Sequence, residues 1–401
     1  MADDSRTVRA AALAFAFAGT GVGLAVASAS FYAAYVTRPY KKLSHQTWYE
    51  AIDADGRIKD LSEVRASVLE GGIPSSLRAE VWTALLGLRK CDSTSVEYEQ
   101  GKRERRERYD GFRRRCGELV DLLSKPVKGS VANLPSDLAS FTEASRIIAA
   151  DSPRTTFTYG TFARDWESGI VNGEDVSAST VDWRIAQRER LTRVLEAYAI
   201  LDPGIGYTQG MNDLAAKFLR DVSNESEAFW CFATFMGGSY RCHFLINPHE
   251  NSRSGGRNQE GVSDRLRSLG EIIKVVDTPM HKHLSLLKSE ECMFAFRAVV
   301  VLMARELDAE QVGLLWDMLI GAGDFTAVNE EAREKLAGGG ARLFLHVVAA
   351  ALIGLRPQLM ACKKSDDLMQ LVARKLPAQQ FTAHDLIKNG RELMKLSVKT
   401  A

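Results

Sequence analysis

Two short segments carry residue types suited to phosphoryl-transfer chemistry. The first is Ile148-Ala-Ala-Asp151-Ser-Pro-Arg154-Thr155, and the second is Gly206-Tyr207-Thr208-Gln209-Gly210-Met211-Asn212-Asp213. A guanidinium is planar and permanently charged. Arg154 can therefore neutralise charge that develops on phosphoryl oxygens, a task for which lysine is a poor replacement. A carboxamide donates and accepts at once, so Gln209 can hold a water and aim it at a γ-phosphate. Neither role needs a group that titrates near neutrality. Each segment alone also has a plainer reading: an arginine beside a helix cap often forms only a surface ion pair, and a glutamine between glycines is often only a turn residue.

The elements around these segments must hold them in place. Asp151 or Ser152 can cap a helix and Pro153 suits a first helical position, which predicts Arg154 near a helix N-terminus. Leu191, Val194, Leu195, Tyr198 and Leu201 keep helical spacing over 180–201, and Asp202-Pro203-Gly204 ends that helix. Gln209 then falls on a loop or at a helix start, where glycines on both sides permit close approach of a partner. Upstream, residues 40–70 read as a connector with a short helix. Gly71-Gly-Ile-Pro74 is a break, and Ser75 or Ser76 can cap a helix carrying Leu77, Val81, Leu85 and Leu86. Downstream, helical spacing covers 213–236, stops at Gly237-Gly238, and resumes over 262–275, 290–306, 310–322, 328–355 and 382–396. The stretches 157–183 and 251–262 read as polar loops. The apolar run from Leu343 to Leu355 reads as a core helix. Period-two alternation is scarce and strands do not alternate with helices, so the expected class is all-α.

Other chemistries find little support. There is no Gly-x-x-x-x-Gly-Lys-Ser/Thr, His-Glu-x-x-His or Gly-x-Ser-x-Gly. Cys242, His243, His249 and Glu250 cluster without a standard zinc spacing. His281 and His283 alternate in a helix-like stretch and read as exposed. Asp53-Ala-Asp-Gly56 is a turn signal that lacks the closing glutamate of a calcium loop. Lys plus Arg number 52 against 51 Asp plus Glu, so net charge implies no nucleic-acid partner. The Arg/Glu-dense run 97–116 reads as a solvated helix with intrahelical pairs. Six scattered cysteines, none in a Cys-x-x-Cys pair, suit buried thiols in a reducing compartment.

Residues 10–37 contain no charged side chain, and about 20 apolar residues suffice to span a bilayer as a helix. Tyr32, Tyr35 and Tyr40 could sit at the interface, with Arg38, Lys41 and Lys42 just beyond. Gly19 and Gly23 add a weak helix-packing signal. A transmembrane anchor is the leading reading. A cleaved leader, suggested by Ala25-Val26-Ala27, and a buried helix of the globular domain remain the alternatives.

Together the two segments resemble the TBC-domain family of Rab GTPase-activating proteins, which carries an Ile-x-x-Asp-x-x-Arg motif followed by Tyr-x-Gln-Gly. Ile148, Asp151 and Arg154 fit the first, and Tyr207, Gln209 and Gly210 the second. Gly72-Ile73-Pro74 with Arg78 and Trp82, and the later Phe294–Arg297, Arg305-Glu306 and Leu315-Trp316, are similar to other parts of the family. The resemblance implies a multi-helical TBC-type domain over 71–325, after an anchor with its basic flank (1–42) and a connector (43–70). Helices over 326–401 would complete or cap it. It further implies that Arg154 is an arginine finger and Gln209 a glutamine finger, both acting in trans on a GTP-bound Rab-type partner. Asp151 would orient the Arg154 segment, and Tyr207, Gly210 and Met211 would shape the glutamine loop. Arg78 and Trp82 would hold their helix against the core. GTP and Mg²⁺ would belong to the partner, leaving no cofactor of the chain's own. An N-terminal helix in a membrane would leave the catalytic domain facing the cytosol. A non-catalytic tethered adaptor that binds small GTPases is the competing function.

Overall fold

The computed structural model describes residues 42–124, 136–155, 170–171, 174–175, 180–238, 240, 244, 261–323, 330–376 and 382–400. Among these the chain is a stack of α-helices, as its periodicity predicts. Two short helices, α1 (His45–Glu50) and α2 (Ser62–Gly71), replace the expected single one before the Gly-Pro break. Gly72 takes φ 77° there, and Pro74 rather than a serine occupies the cap position of α3 (Ser75–Leu85). Next come the long α4 (Ser95–Ser124), then α5 (Ser136–Asp151), which runs into a 3-10 turn at Ser152–Arg154, and α6 (Thr180–Leu201). The region between the last two, expected as loop, includes an antiparallel pair, β1 (Ile170–Val171) with β2 (Glu174–Asp175), in the register Ile170 to Asp175.

The helical pattern over 213–236 divides into α7 (Met211–Asp221) and α8 (Glu225–Met236). The break is set by Asn224, whose side chain accepts from the Glu227 N–H and caps the second helix. There follow α9 (Val262–Val276) and α10 (Thr278–Leu286), separated at Asp277, which caps the latter. The expected long helix over 290–306 does not form. A 3-10 turn (Met293–Ala295) leads to the five-residue α11 (Phe296–Val300), and Leu302 and Met303 then take positive φ of 49° and 57°. Two consecutive left-handed residues end the helix outright, at about 1–2 kcal/mol each. The chain closes with α12 (Ala309–Ala322), α13 (Glu330–Gly354), α14 (Arg356–Ala361), α15 (Ser365–Lys375) and α16 (Ala383–Thr400).

One main core runs through this stack. Trp82, Phe218, Phe235 and Trp316 meet at its centre, with Phe235 and Trp316 stacked at 5.6 Å between ring centroids. Residues 343–353 are buried against α16, so the apolar run is a core helix. Beside the aromatics lies a buried ionic cluster. Arg78 donates to Asp317 Oδ1 at 2.9 Å and to Asp221 Oδ1 at 2.8 Å, and the Trp82 indole N–H and the Ile73 N–H also reach Asp317. Lys217 pairs with Asp221 from the next turn of α7. Thus Arg78 and Trp82 tie α3 to α7 and α12. Removing one member of such a cluster strands a buried charge, which costs about 3–5 kcal/mol.

The charged run on α4 is a half-solvated helix. Lys102–Glu99 and Arg115–Glu118 pair within it, while Arg105 reaches Glu227 and Tyr109 donates to Glu225, tying its inner face to α8. Cys116, Cys231 and Cys292 are buried free thiols. No helix among the described residues is long and apolar enough to cross a membrane. The apolar run 10–37, expected as the anchor, lies outside the described residues, as does the Cys242–Glu250 cluster. His281 and His283 are half-buried rather than exposed, and His283 Nε2 lies 3.1 Å from the Leu359 carbonyl oxygen.

Candidate functional site

The Ile148–Arg154 segment ends a helix rather than starting one. Pro153 lacks the N–H that would continue the α-helical ladder, so α5 finishes at Asp151 and tightens into the 3-10 turn. Arg154 therefore sits at a helix C-terminus, correcting the expected placement. Its Nε donates to the Ala150 carbonyl at 2.9 Å, and its terminal amino group bonds Asp151. The negative end of a helix dipole suits a cation there. The Arg154 side chain is 68% exposed, while that of Asp151 is 5% exposed.

The second segment is a tight entry into α7. Asp202 ends the preceding helix, and its carbonyl accepts from Gly206, which has φ 62°. The Thr208 carbonyl accepts from the Met211 N–H at 3.1 Å. Gly210 takes φ 106° at the cap position of α7. A Cβ at Gly210 would meet Val300 Cγ1 at 3.1 Å and Val301 Cγ1 at 3.4 Å. Both conformation and space thus require glycine. Met211 is fully buried, with its Sδ facing the Thr208 N–H. Gln209, at the tip, is exposed and makes no hydrogen bond among the described residues.

A buried polar network joins the two segments. Tyr207 donates its hydroxyl to Asp151 Oδ2 at 2.9 Å, and the Tyr207 hydroxyl oxygen also lies 3.1 Å from Asn212 Oδ1. Asn212 Oδ1 accepts from the Gly210 N–H at 3.1 Å, and Asn212 Nδ2 donates to Thr155 Oγ1 at 2.8 Å. The Thr155 hydroxyl in turn donates to the Asp151 carbonyl at 3.0 Å. Burial, then the Asp151 carboxylate, push the Tyr207 phenol up, so it stays a proton donor. At the edge, Arg305 pairs with Asp213 at 2.8 Å. Burial raises the Asp213 carboxyl, and this arginine opposes the rise.

All six residues singled out from the sequence, Asp151, Arg154, Tyr207, Gln209, Gly210 and Met211, lie in or beside this network. Sequence reasoning gave no site role to Thr155, Asn212 or Arg305. Thr155 directly follows the first motif and Asn212 stands two residues after the second, and their spacing gave no sign that they would meet. Arg305 comes from a segment read as unbroken helix. Among the described residues no group of His, Cys, Asp and Glu is arranged to hold a metal. An open cleft of about 560 Å³ beside α4, with Tyr98, Arg103 and Arg108 in its wall, shares no residue with the network.

Comparison with known proteins agrees with this architecture. The fold resembles the crystal structure of the Ypt/Rab-GAP domain of Gyp1p, with a TM-score of 0.60 at 18% identity, covering 88% of this chain and 98% of that one. The sequence is 27% identical to Rab GTPase-activating protein 22 of Arabidopsis thaliana over 70% of this chain and 66% of that protein. It is 25% identical to TBC1 domain family member 16 of Homo sapiens, over 69% of this chain and 31% of that protein. The chain thus spans less than two thirds of the length of these relatives. The family model of the Rab-GTPase-TBC domain matches residues 182–332, a range that includes Gln209 and its loop and begins after Arg154. Residues 182–332 thus match the Rab-GTPase-TBC domain family, and the chain is similar in sequence to proteins named for Rab GTPase activation and in fold to a Ypt/Rab-GAP domain.

Proposed function

We propose that this chain accelerates GTP hydrolysis by a Rab-type small GTPase, supplying Arg154 and Gln209 in trans. The observation that carries this reading is the buried Asp151–Tyr207–Asn212–Thr155 network. It holds the two motif segments together, with an exposed guanidinium on one and an exposed carboxamide on the other. On docking, Arg154 leaves Asp151 and the Ala150 carbonyl for the γ-phosphate, where its charge offsets what builds on the transferring oxygens. Gln209 orients the attacking water. An arginine supplied in trans is worth roughly 10³–10⁵ in rate. GTP and Mg²⁺ belong to the GTPase in this scheme, and the TBC chain contributes side chains alone.

The test is single-turnover hydrolysis by a broad panel of GTP-loaded Rab proteins, with wild type, Arg154→Ala and Gln209→Ala over residues 43–401. Acceleration of one or more Rabs that each substitution largely removes supports the two-finger mechanism. No acceleration, with mutants that bind GTPases as wild type does, replaces it with the tethered adaptor.

The same reading gives residues 10–37 a role: as a membrane helix they would hold 43–401 on the cytosolic face, beside lipid-anchored GTPases, and raise the effective concentration. Protease treatment of intact vesicles tests this. Digestion of the helical domain supports it, and a shielded domain contradicts both the anchor's orientation and the activity.

A further inference from the structure

Asn212 belongs to neither motif, yet its side chain touches both. It is 3% exposed. Its Nδ2 donates to the hydroxyl of Thr155, the residue after Arg154, and its Oδ1 accepts from the N–H of Gly210, the residue after Gln209. One planar amide thus bridges the backbone neighbours of the two exposed side chains. Resting on the activity proposed above, we infer that Asn212 is a positioning residue that fixes the spacing between Arg154 and Gln209, so that the two fingers act as one unit.

The chemistry of the position supports this. The bridge needs a donor aimed at Thr155 and an acceptor aimed at Gly210, about one amide width apart. A neutral carboxamide supplies both. A hydroxyl is too short to reach both ways, and an apolar side chain would leave the Gly210 N–H and the Thr155 hydroxyl with one partner fewer in a buried place. The Tyr207 hydroxyl, 3.1 Å from the same Oδ1, links this bridge to Asp151 and so to Arg154 itself. A shift of this amide moves both fingers relative to each other, and a misplacement of about 1 Å can cost about a hundredfold in rate.

The isosteric Asn212→Asp substitution separates finger spacing from simple support of the fold. A protonated carboxyl at 212 can still donate to Thr155 and accept from Gly210. An ionised one loses the donor and sets a third carboxylate beside Asp151 and Asp213. The groups facing it are Asp151 with its bound Arg154, Tyr207, and Asp213 with its bound Arg305, with Arg297 also in electrostatic reach of Asp213. Burial and the neighbouring carboxylates push such a carboxyl upward, and the two arginines, each already paired, only partly oppose them.

The experiment uses a Rab that responds to wild type, with single-turnover hydrolysis at saturating and sub-saturating activator between about pH 5.5 and 8, a window in which a raised carboxyl titrates. Thermal melting of each variant is followed at each pH. Asn212→Ala is expected to lower the maximal rate about a hundredfold with little change in the half-saturating concentration. Asn212→Asp is expected near wild type at the acid end, falling away from it as pH rises. Arg154→Ala combined with Asn212→Ala should lose less than the product of the single losses. The inference fails if Asn212→Ala keeps the wild-type maximal rate, if the ratio of Asn212→Asp to wild type is independent of pH, or if the losses follow the unfolded fraction. Wild type inert on every Rab removes the activity itself, a result distinct from a responsive wild type with an equally responsive Asn212→Ala.

Discussion

Replacing Gly210 by alanine should reduce the proposed acceleration of GTP hydrolysis more than the stability of the fold. At φ 106° an L-residue pays about 1–2 kcal/mol relative to glycine. The new methyl also meets Val300 Cγ1 at 3.1 Å and Val301 Cγ1 at 3.4 Å. Those valines cannot retreat freely, because Leu302 and Met303 behind them already hold positive φ in a buried turn. The combined cost is about 2 kcal/mol, charged to the one backbone conformation that presents Gln209. The loop escapes by rotating the peptides of 208–210, which lifts Gln209 away from its place beside the Arg154 segment. At 1.4 kcal/mol per tenfold, hydrolysis by a responsive Rab should slow about thirtyfold. The urea midpoint should correspond to a loss of about 1–2 kcal/mol in unfolding free energy, since the rest of α7 stays packed. Adding Gly210→Ala to Gln209→Ala should cost little further rate, because the side chain it misplaces is already gone. A Gly210→Ala variant with wild-type acceleration and midpoint would refute the account of the loop.

Three further outcomes are expected. Asp317→Asn should lower the unfolding free energy by about 3–5 kcal/mol in urea titration, because Arg78 remains buried with half its partners; a change below about 1 kcal/mol would show that Arg78 does not depend on this pair. Arg154→Lys should lose most of the roughly 10³–10⁵ gain of an arginine finger while binding the GTPase, measured as a lower maximal rate at unchanged half-saturation; an equal maximal rate would show that a point charge is enough. His384 is pushed down to about 4, first by burial, against 6.5 for an ordinary imidazole. The unfolded chain therefore binds the proton more readily, and stability present above pH 6.5 should be lost as pH falls towards 4. In His384→Gln that acid-side slope should flatten in denaturation curves taken across this window, and an unchanged slope would assign it to other groups.

Local sequence was enough to read the class of element nearly everywhere and to single out the two segments that the fold brings together. Helical spacing is local, so the 180–201 and 310–322 patterns correspond to α6 and α12 with little shift. Glycine next to Gln209 and proline next to Arg154 act on their own backbone, so the turn at each motif was also legible. What local spacing could not decide was the direction in which each turn was used. Pro153 suits the first turn of a helix or the stop after one, and only the packing of α5 against α6 decided that Arg154 lies at a C-terminus. The break at 301–306 was equally hidden. No glycine marks Leu302 or Met303, and their left-handed conformations are held by buried contacts from elsewhere in the chain. Most of all, the bond from Asn212 to Thr155 spans 57 positions. Each residue alone is an ordinary polar side chain, and a buried hydrogen bond between them exists only because the fold removes both from water at the same place.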